Sequence, residues 1–117
     1  MLLTHALAEF YHCDDQIEDA AALIEIAKDA AQAVGATVVG EITIRYVPHG
    51  LTIGVFLAES HIVLTTWPEH RLLLVDILLC NAEMNYRVVI AEIERRLCST
   101  GRTVVHEIPR HISDDPA

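Results

Sequence analysis

Apolar residues fall along this chain in two rhythms. Residues 2–11 are nearly all apolar and end in aromatics, the pattern of a core strand. Within residues 16–34, Ile17, Ala20, Ile24, Ala27 and Ala31 recur at helical spacing. Asp14 and Asp15 offer N-cap oxygens to that helix, Asp15 with Glu18 resembles a capping box, and Gly35 supplies a stop. Residues 36–46, 51–58, 61–67 and 71–79 are apolar and β-branched, broken by Pro48-His49-Gly50 and by Pro68, and predict four strands. Helical spacing returns over 83–99 through Met84, Val88, Ala91 and Leu97, and Gly101 ends it. Residues 103–108 predict a short closing strand, and the polar tail 109–117 is expected to fray.

The order β-α-β-β-β-β-α-β predicts one α+β domain over residues 1–117, a two-layer sandwich with a mostly antiparallel sheet and two helices on one face. The far face of that sheet does not read as polar, which points to a second copy of the chain against it, a homodimer.

Composition sharpens this. Of 117 residues, 52% are hydrophobic, ample for a core. The net charge of -9 comes from 8 basic and 17 acidic residues, with Arg95-Arg96 as the adjacent basic pair, so nucleic acid and anionic membranes are not expected partners. An acidic field suits a cationic small molecule, although ordinary solubility explains it equally. The N-terminus lacks the basic region of a signal peptide, and no run reaches membrane-spanning length. Cys13, Cys80 and Cys98 show no CxxC spacing, which favours reduced thiols and a cytoplasmic protein. The seven histidines, His5, His12, His49, His61, His70, His106 and His111, show no local ligand spacing, so no metal is expected.

The most informative stretch is Ala58-Glu59-Ser60-His61-Ile62-Val63-Leu64-Thr65-Thr66-Trp67-Pro68-Glu69. It resembles the self-cleavage region of bacterial and archaeal S-adenosylmethionine decarboxylases, approximately E-S-H-x-x-I-H-T-W-P-E. Ala8-Glu9-Phe10-Tyr11 with Cys13-Asp14, then Gly35-Ala36-Thr37, Pro48-x-Gly50 and Cys80 follow the same family in order and interval. The resemblance implies a pyruvoyl-dependent decarboxylase made as a proenzyme. Cleavage between Glu59 and Ser60 would give a β chain of 1–59 and an α chain of 60–117. Decarboxylation leaves electrons on the carbon that lost carbon dioxide, and a ketone joined to an amide can accept them through a Schiff base with the substrate amine. In the family the serine corresponding to Ser60 becomes that ketone. Its hydroxyl attacks the preceding carbonyl, the ester eliminates, and the dehydroalanine hydrolyses to pyruvoyl.

By the same resemblance Cys80 is the acid that reprotonates the substrate carbon, a role suited to a thiol of near-neutral pKa. Glu69 would accept hydrogen bonds from ribose hydroxyls, and Tyr46 would stack on adenine. Taken alone, Cys80 reads equally as a small core residue, Glu69 as a solvated turn residue and Tyr46 as a packing tyrosine. Cys13 and Cys98 are assigned to structure and packing.

The pattern breaks in places. The family has a histidine five residues after the cleavage serine, where this chain has Thr65, and a serine eight residues before it, where this chain has Thr52. Threonine is no base near neutral pH, and His61 and His70 are candidate substitutes. Glu69 is followed by His70-Arg71 instead of tyrosine and glycine, and Cys80 by Asn81-Ala82-Glu83 instead of an acidic Asp-Pro-Trp segment. Two alternatives therefore stand beside S-adenosylmethionine decarboxylation for spermidine synthesis. One is a pyruvoyl enzyme acting on ornithine or arginine, and the other a non-processing homologue that binds or regulates.

Overall fold

The computed structural model describes residues 1–98 and 100–116. Six strands, β1 (Leu2–Tyr11), β2 (Val38–Arg45), β3 (Leu51–Leu57), β4 (Ser60–Trp67), β5 (Leu72–Leu78) and β6 (Arg102–His111), form one sheet in the order β2-β3-β4-β5-β1-β6. Every neighbouring pair is antiparallel. Helices α1 (Ala20–Ala33) and α2 (Tyr86–Leu97) cover one face, completing the expected two-layer α+β sandwich.

Alternation along the strands decides which face meets the helices. Ala6, Ala8 and Phe10 of β1, Ile62 and Leu64 of β4, and Leu73, Val75 and Ile77 of β5 are buried. They pack in one cluster with Leu23, Ile26, Ala27 and Ala30 of α1 and Val89 and Ile93 of α2. Each large side chain buried here contributes about 1.5–3 kcal/mol, so this face holds the fold together. Alanines on both α1 and β1 let helix and sheet approach closely. The opposite face carries Ile42, Ile44, Phe56 and Trp67 largely exposed, beside half-buried Leu7, Val63 and Leu74.

Three boundaries differ from expectation. The first helix is split: Asp14 caps a 3-10 turn, Asp15–Glu18, by accepting from Gln16 N–H at 2.9 Å, and Asp19 caps α1 by accepting from Ala22 N–H at 3.2 Å. Asp15 therefore caps nothing, because burial of Ile17 fixes the turn ahead of the helix. The second helix starts at Tyr86, not at residue 83, because the Asn81 side chain accepts from the amides of Glu83 and Met84, both at 3.0 Å, and holds a turn there. The expected end of this helix at Ser99 lies outside the described residues. The polar tail does not fray at residue 109: β6 pairs with β1 as far as His111 opposite Leu2. Backbone pairing needs no apolar side chain, and Pro109 is tolerated because β6 is an edge strand.

Candidate active site

The β3–β4 hairpin pairs Leu57 with Ser60, leaving Ala58 and Glu59 to make the turn. Glu59 has φ 61°, the left-handed region. A non-glycine residue is held there at a cost of about 1–2 kcal/mol. The Ser60 hydroxyl donates to the Ala58 carbonyl at 3.2 Å, so it is folded back over the turn.

Leu78, at the end of β5, lies opposite both His61 of β4 and His5 of β1. Cys80 follows two residues later, at the same end of the sheet as Ser60. It is half-buried, with its thiol 3.9 Å from the Met84 sulfur and the Asn81 amide 3.8 Å from Sγ.

The other predicted residues gather at the far end of the hairpin. Tyr46 hydroxyl donates to Thr52 Oγ1 at 2.9 Å, and Thr52 stands opposite Thr65 with their hydroxyls 3.3 Å apart. Glu69 Oε2 lies 2.8 Å from His49 Nε2. That hydrogen bond holds the Glu69 carboxyl below its ordinary value despite partial desolvation. Tyr46, His49, Thr65, Trp67 and Glu69 line one cavity of about 340 Å³. Five residues along β4 separate Thr65 from Ser60, roughly 16 Å at the rise of a strand. One chain therefore brings Ser60 with Cys80 to one end, and Tyr46, Thr52, Thr65 and Glu69 to the other.

Between the ends, on the open face, Asp76 Oδ1 receives His5 Nε2 at 2.6 Å and His61 Nε2 at 2.9 Å. Arg110 Nη1 stands 3.1 Å from His5 Nδ1, which places the His5 proton on Nε2. Burial pushes the Asp76 carboxyl up, but the two histidine hydrogen bonds outweigh it and hold the group below its ordinary value. Ligand atoms of His5, His61 and Asp76 all lie within 4.8 Å of one another, the one metal-competent group among the described residues. Both histidine hydrogen bonds end on Oδ1. His61 is thus committed to Asp76. His70 ends the 3-10 turn Pro68–His70, at the far end from Ser60.

Residues 4–111 match the family model for S-adenosylmethionine decarboxylase. The chain belongs to the S-adenosylmethionine decarboxylase family. It is 33% identical over 112 residues to the S-adenosylmethionine decarboxylase proenzyme of Methanococcus maripaludis, covering 95% of this chain and 91% of that one. The Thermotoga petrophila proenzyme is 38% identical over 82 residues, 69% of this chain and 63% of its own length, so the match spans less than two thirds of that relative. A crystal structure of the adenosylmethionine decarboxylase from Aquifex aeolicus superposes with a TM-score of 0.79 at 30% identity, over 99% of this chain and 96% of that one.

Membership of the S-adenosylmethionine decarboxylase family makes two departures legible. Arg71, where the family has glycine, has φ 50°. The backbone thus keeps a conformation that glycine adopts freely, and Arg71 Nε offsets the strain by donating to the Cys13 carbonyl at 2.9 Å. Thr65 keeps a hydroxyl partner in Thr52 but brings no base. Sequence reasoning missed His49 as the partner of Glu69, and the His5–Asp76–His61 centre. A single aspartate inside the apolar run Leu72-Leu73-Leu74-Val75-Asp76-Ile77-Leu78 was the available signal for the second.

Proposed function

We propose that this chain is a proenzyme that cuts itself between Glu59 and Ser60, makes a pyruvoyl group from Ser60, and decarboxylates S-adenosylmethionine to the aminopropyl donor of spermidine synthesis. The observation that carries the reading is Ser60 standing immediately after a left-handed Glu59 at a two-residue hairpin tip. Such a turn fits the group: the hydroxyl is folded back toward the turn's carbonyls, and cleavage releases the strain at Glu59. When formed, the pyruvoyl group supplies the electron sink for the electrons left by departing carbon dioxide.

The chain's own residues do the rest. Cys80, half-buried at the same end, delivers a proton to the carbon that lost carbon dioxide. Glu69, oriented by His49, accepts from the ribose hydroxyls, and the Tyr46 ring, exposed beside it, stacks on adenine. These binding groups lie too far from Ser60 in one chain, and the open sheet face keeps Ile42, Ile44, Phe56 and Trp67 in water. A two-fold pair of chains answers both facts, because it sets the Tyr46–Glu69 end of one copy against the Ser60–Cys80 end of the other. Three thiols without disulfides favour a reducing compartment, the cytoplasm.

Thr65 supports a second reading, a homologue that binds without processing. Intact-mass measurement of the purified chain separates the two. Two fragments split at Glu59–Ser60, the second lighter by one ammonia than simple hydrolysis gives, support the proenzyme. A single chain that persists on incubation overturns it in favour of the second reading. With cleavage established, carbon dioxide release from S-adenosylmethionine, ornithine and arginine, compared side by side, identifies the substrate; preference for a basic amino acid overturns that part.

A further inference from the structure

Cys13 follows β1, and Cys98 is the cap residue that ends α2. Eighty-five positions apart in sequence, their sulfurs stand 2.6 Å apart in the core. That lies between a disulfide bond of ~2.05 Å and ordinary sulfur contact. Their backbones are held together independently of the sulfurs. Asp14 N–H donates to the Leu97 carbonyl at 2.9 Å, joining the residue after one cysteine to the residue before the other. Cys13 N–H donates to the Arg71 carbonyl at 3.0 Å, and Gln16 Nε2 to the Arg96 carbonyl at 3.1 Å. Gly101 packs so tightly here that a Cβ would come 2.1 Å from the Tyr11 carbonyl oxygen. The end of α2 is thus locked against the end of β1, and neither sulfur has far to move.

We propose that Cys13 and Cys98 form a thiol pair that closes to a disulfide under peroxide, and that in the processed protein this bond ties the two product chains together. The second half rests on cleavage at Glu59–Ser60, since Cys13 lies before that bond and Cys98 after it; the first half does not.

The chemistry balances with hydrogen peroxide as oxidant. Cys13 is the attacking sulfur, because the hydrogen bond from Cys98 lowers its pKa against the opposing effect of burial, while the same contact and burial raise that of Cys98. Cys13 Sγ attacks a peroxide oxygen, the O–O bond breaks, and a sulfenic acid and water form. Cys98 Sγ then attacks the Cys13 sulfur, the S–O bond breaks, and a second water leaves. Two electrons pass from the thiols to peroxide. Both sulfurs are buried, so a small oxidant is required and bulky thiol reagents do not reach the folded pair, whereas half-buried Cys80 stays open to them.

The test uses the full-length chain. Folded protein is treated with a bulky maleimide to block Cys80, exposed to hydrogen peroxide, then denatured, alkylated with iodoacetamide and weighed with and without reductant. The expected result without reductant is one species holding residues 1–59 and 60–117 together, lighter by two hydrogens than their sum, which separates into two chains on reduction. Peptide mapping then recovers Cys13 joined to Cys98. Two separate chains without reductant, with both cysteines alkylated after denaturation, overturn the pair while leaving processing intact. An uncut chain with Cys13 joined to Cys98 supports the pair and removes the tether along with the proenzyme reading.

Discussion

Ser60 and Thr65 stand on the same strand and are served by opposite means. At the tip of the hairpin, Ser60 has a backbone carbonyl for a partner and a left-handed residue before it. Five residues along, Thr65 sits in a chain of hydroxyls running from Tyr46 through Thr52, beside a carboxylate fixed by His49. The tip is prepared by backbone conformation, the far end by side-chain hydrogen bonding. On the proposed function, the tip holds a bond that breaks once, whereas the far end holds a surface that must survive every turnover. Thr65, which stands where the family has a histidine, lies roughly 16 Å along the strand from Ser60, so within one chain it does not touch the strained turn.

The comparison can be broken most directly at the tip. Ser60→Ala removes the nucleophile, and intact mass should show the single uncut chain with decarboxylation abolished. Next comes Cys80→Ala, which should still yield two chains while carbon dioxide release falls by about 10²–10⁴-fold, the usual weight of a proton donor. Equal loss of cleavage would place Cys80 in processing instead. At the far end, Glu69→Gln should raise KM for S-adenosylmethionine about tenfold, the weight of a charge-assisted hydrogen bond, with cleavage and kcat little changed. Thr65→His sharpens the contrast further. Since Thr65 is roughly 16 Å from Ser60 in its own chain, the histidine should speed cleavage several-fold only at concentrations where chains pair, measured as the time course of splitting across a dilution series.

The smallest effect lies between the ends. Asp76 is held below its ordinary pKa by His5 and His61. Its stabilisation is therefore complete above the unfolded carboxylate value of about 3.9 and fades as pH falls through the lower folded value. Thermal melts from pH 6 to pH 3 should show the wild type losing stability more steeply at the acid end than Asp76→Asn. Parallel curves would mean that the histidine bonds do not persist in solution.

Much of this was legible in the residues. Apolar and β-branched runs between turn breaks marked β1, β3, β4 and β5 to within a residue or two, because one face of each strand is buried against the helices. The start of α1 was not, since Asp14, Asp15 and Asp19 are all competent caps and only the burial of Ile17 chooses among them. For the candidate site, the motif pointed to Ser60, Cys80, Tyr46 and Glu69, but gave no sign that they fall at two ends of one sheet. That follows from strand register, as does the meeting of His5 with His61 across Leu78. The closeness of Cys13 and Cys98 was likewise out of reach, because residues 85 positions apart meet only through the docking of α2 on β1.

The sheet order carries a last consequence. Cut after Glu59, the first fragment owns β1, β2 and β3 and the second owns β4, β5 and β6, yet β1 lies between β5 and β6. The fragments are woven through each other, so neither can leave without tearing three strand seams. Folding must be finished before the cut, while the chain is still one molecule and its ends find each other without regard to dilution. Once severed and denatured, the same sequence must reassemble by collision of two polymers, slower the more dilute it is. If the chain cuts itself as proposed, it is an object assembled once.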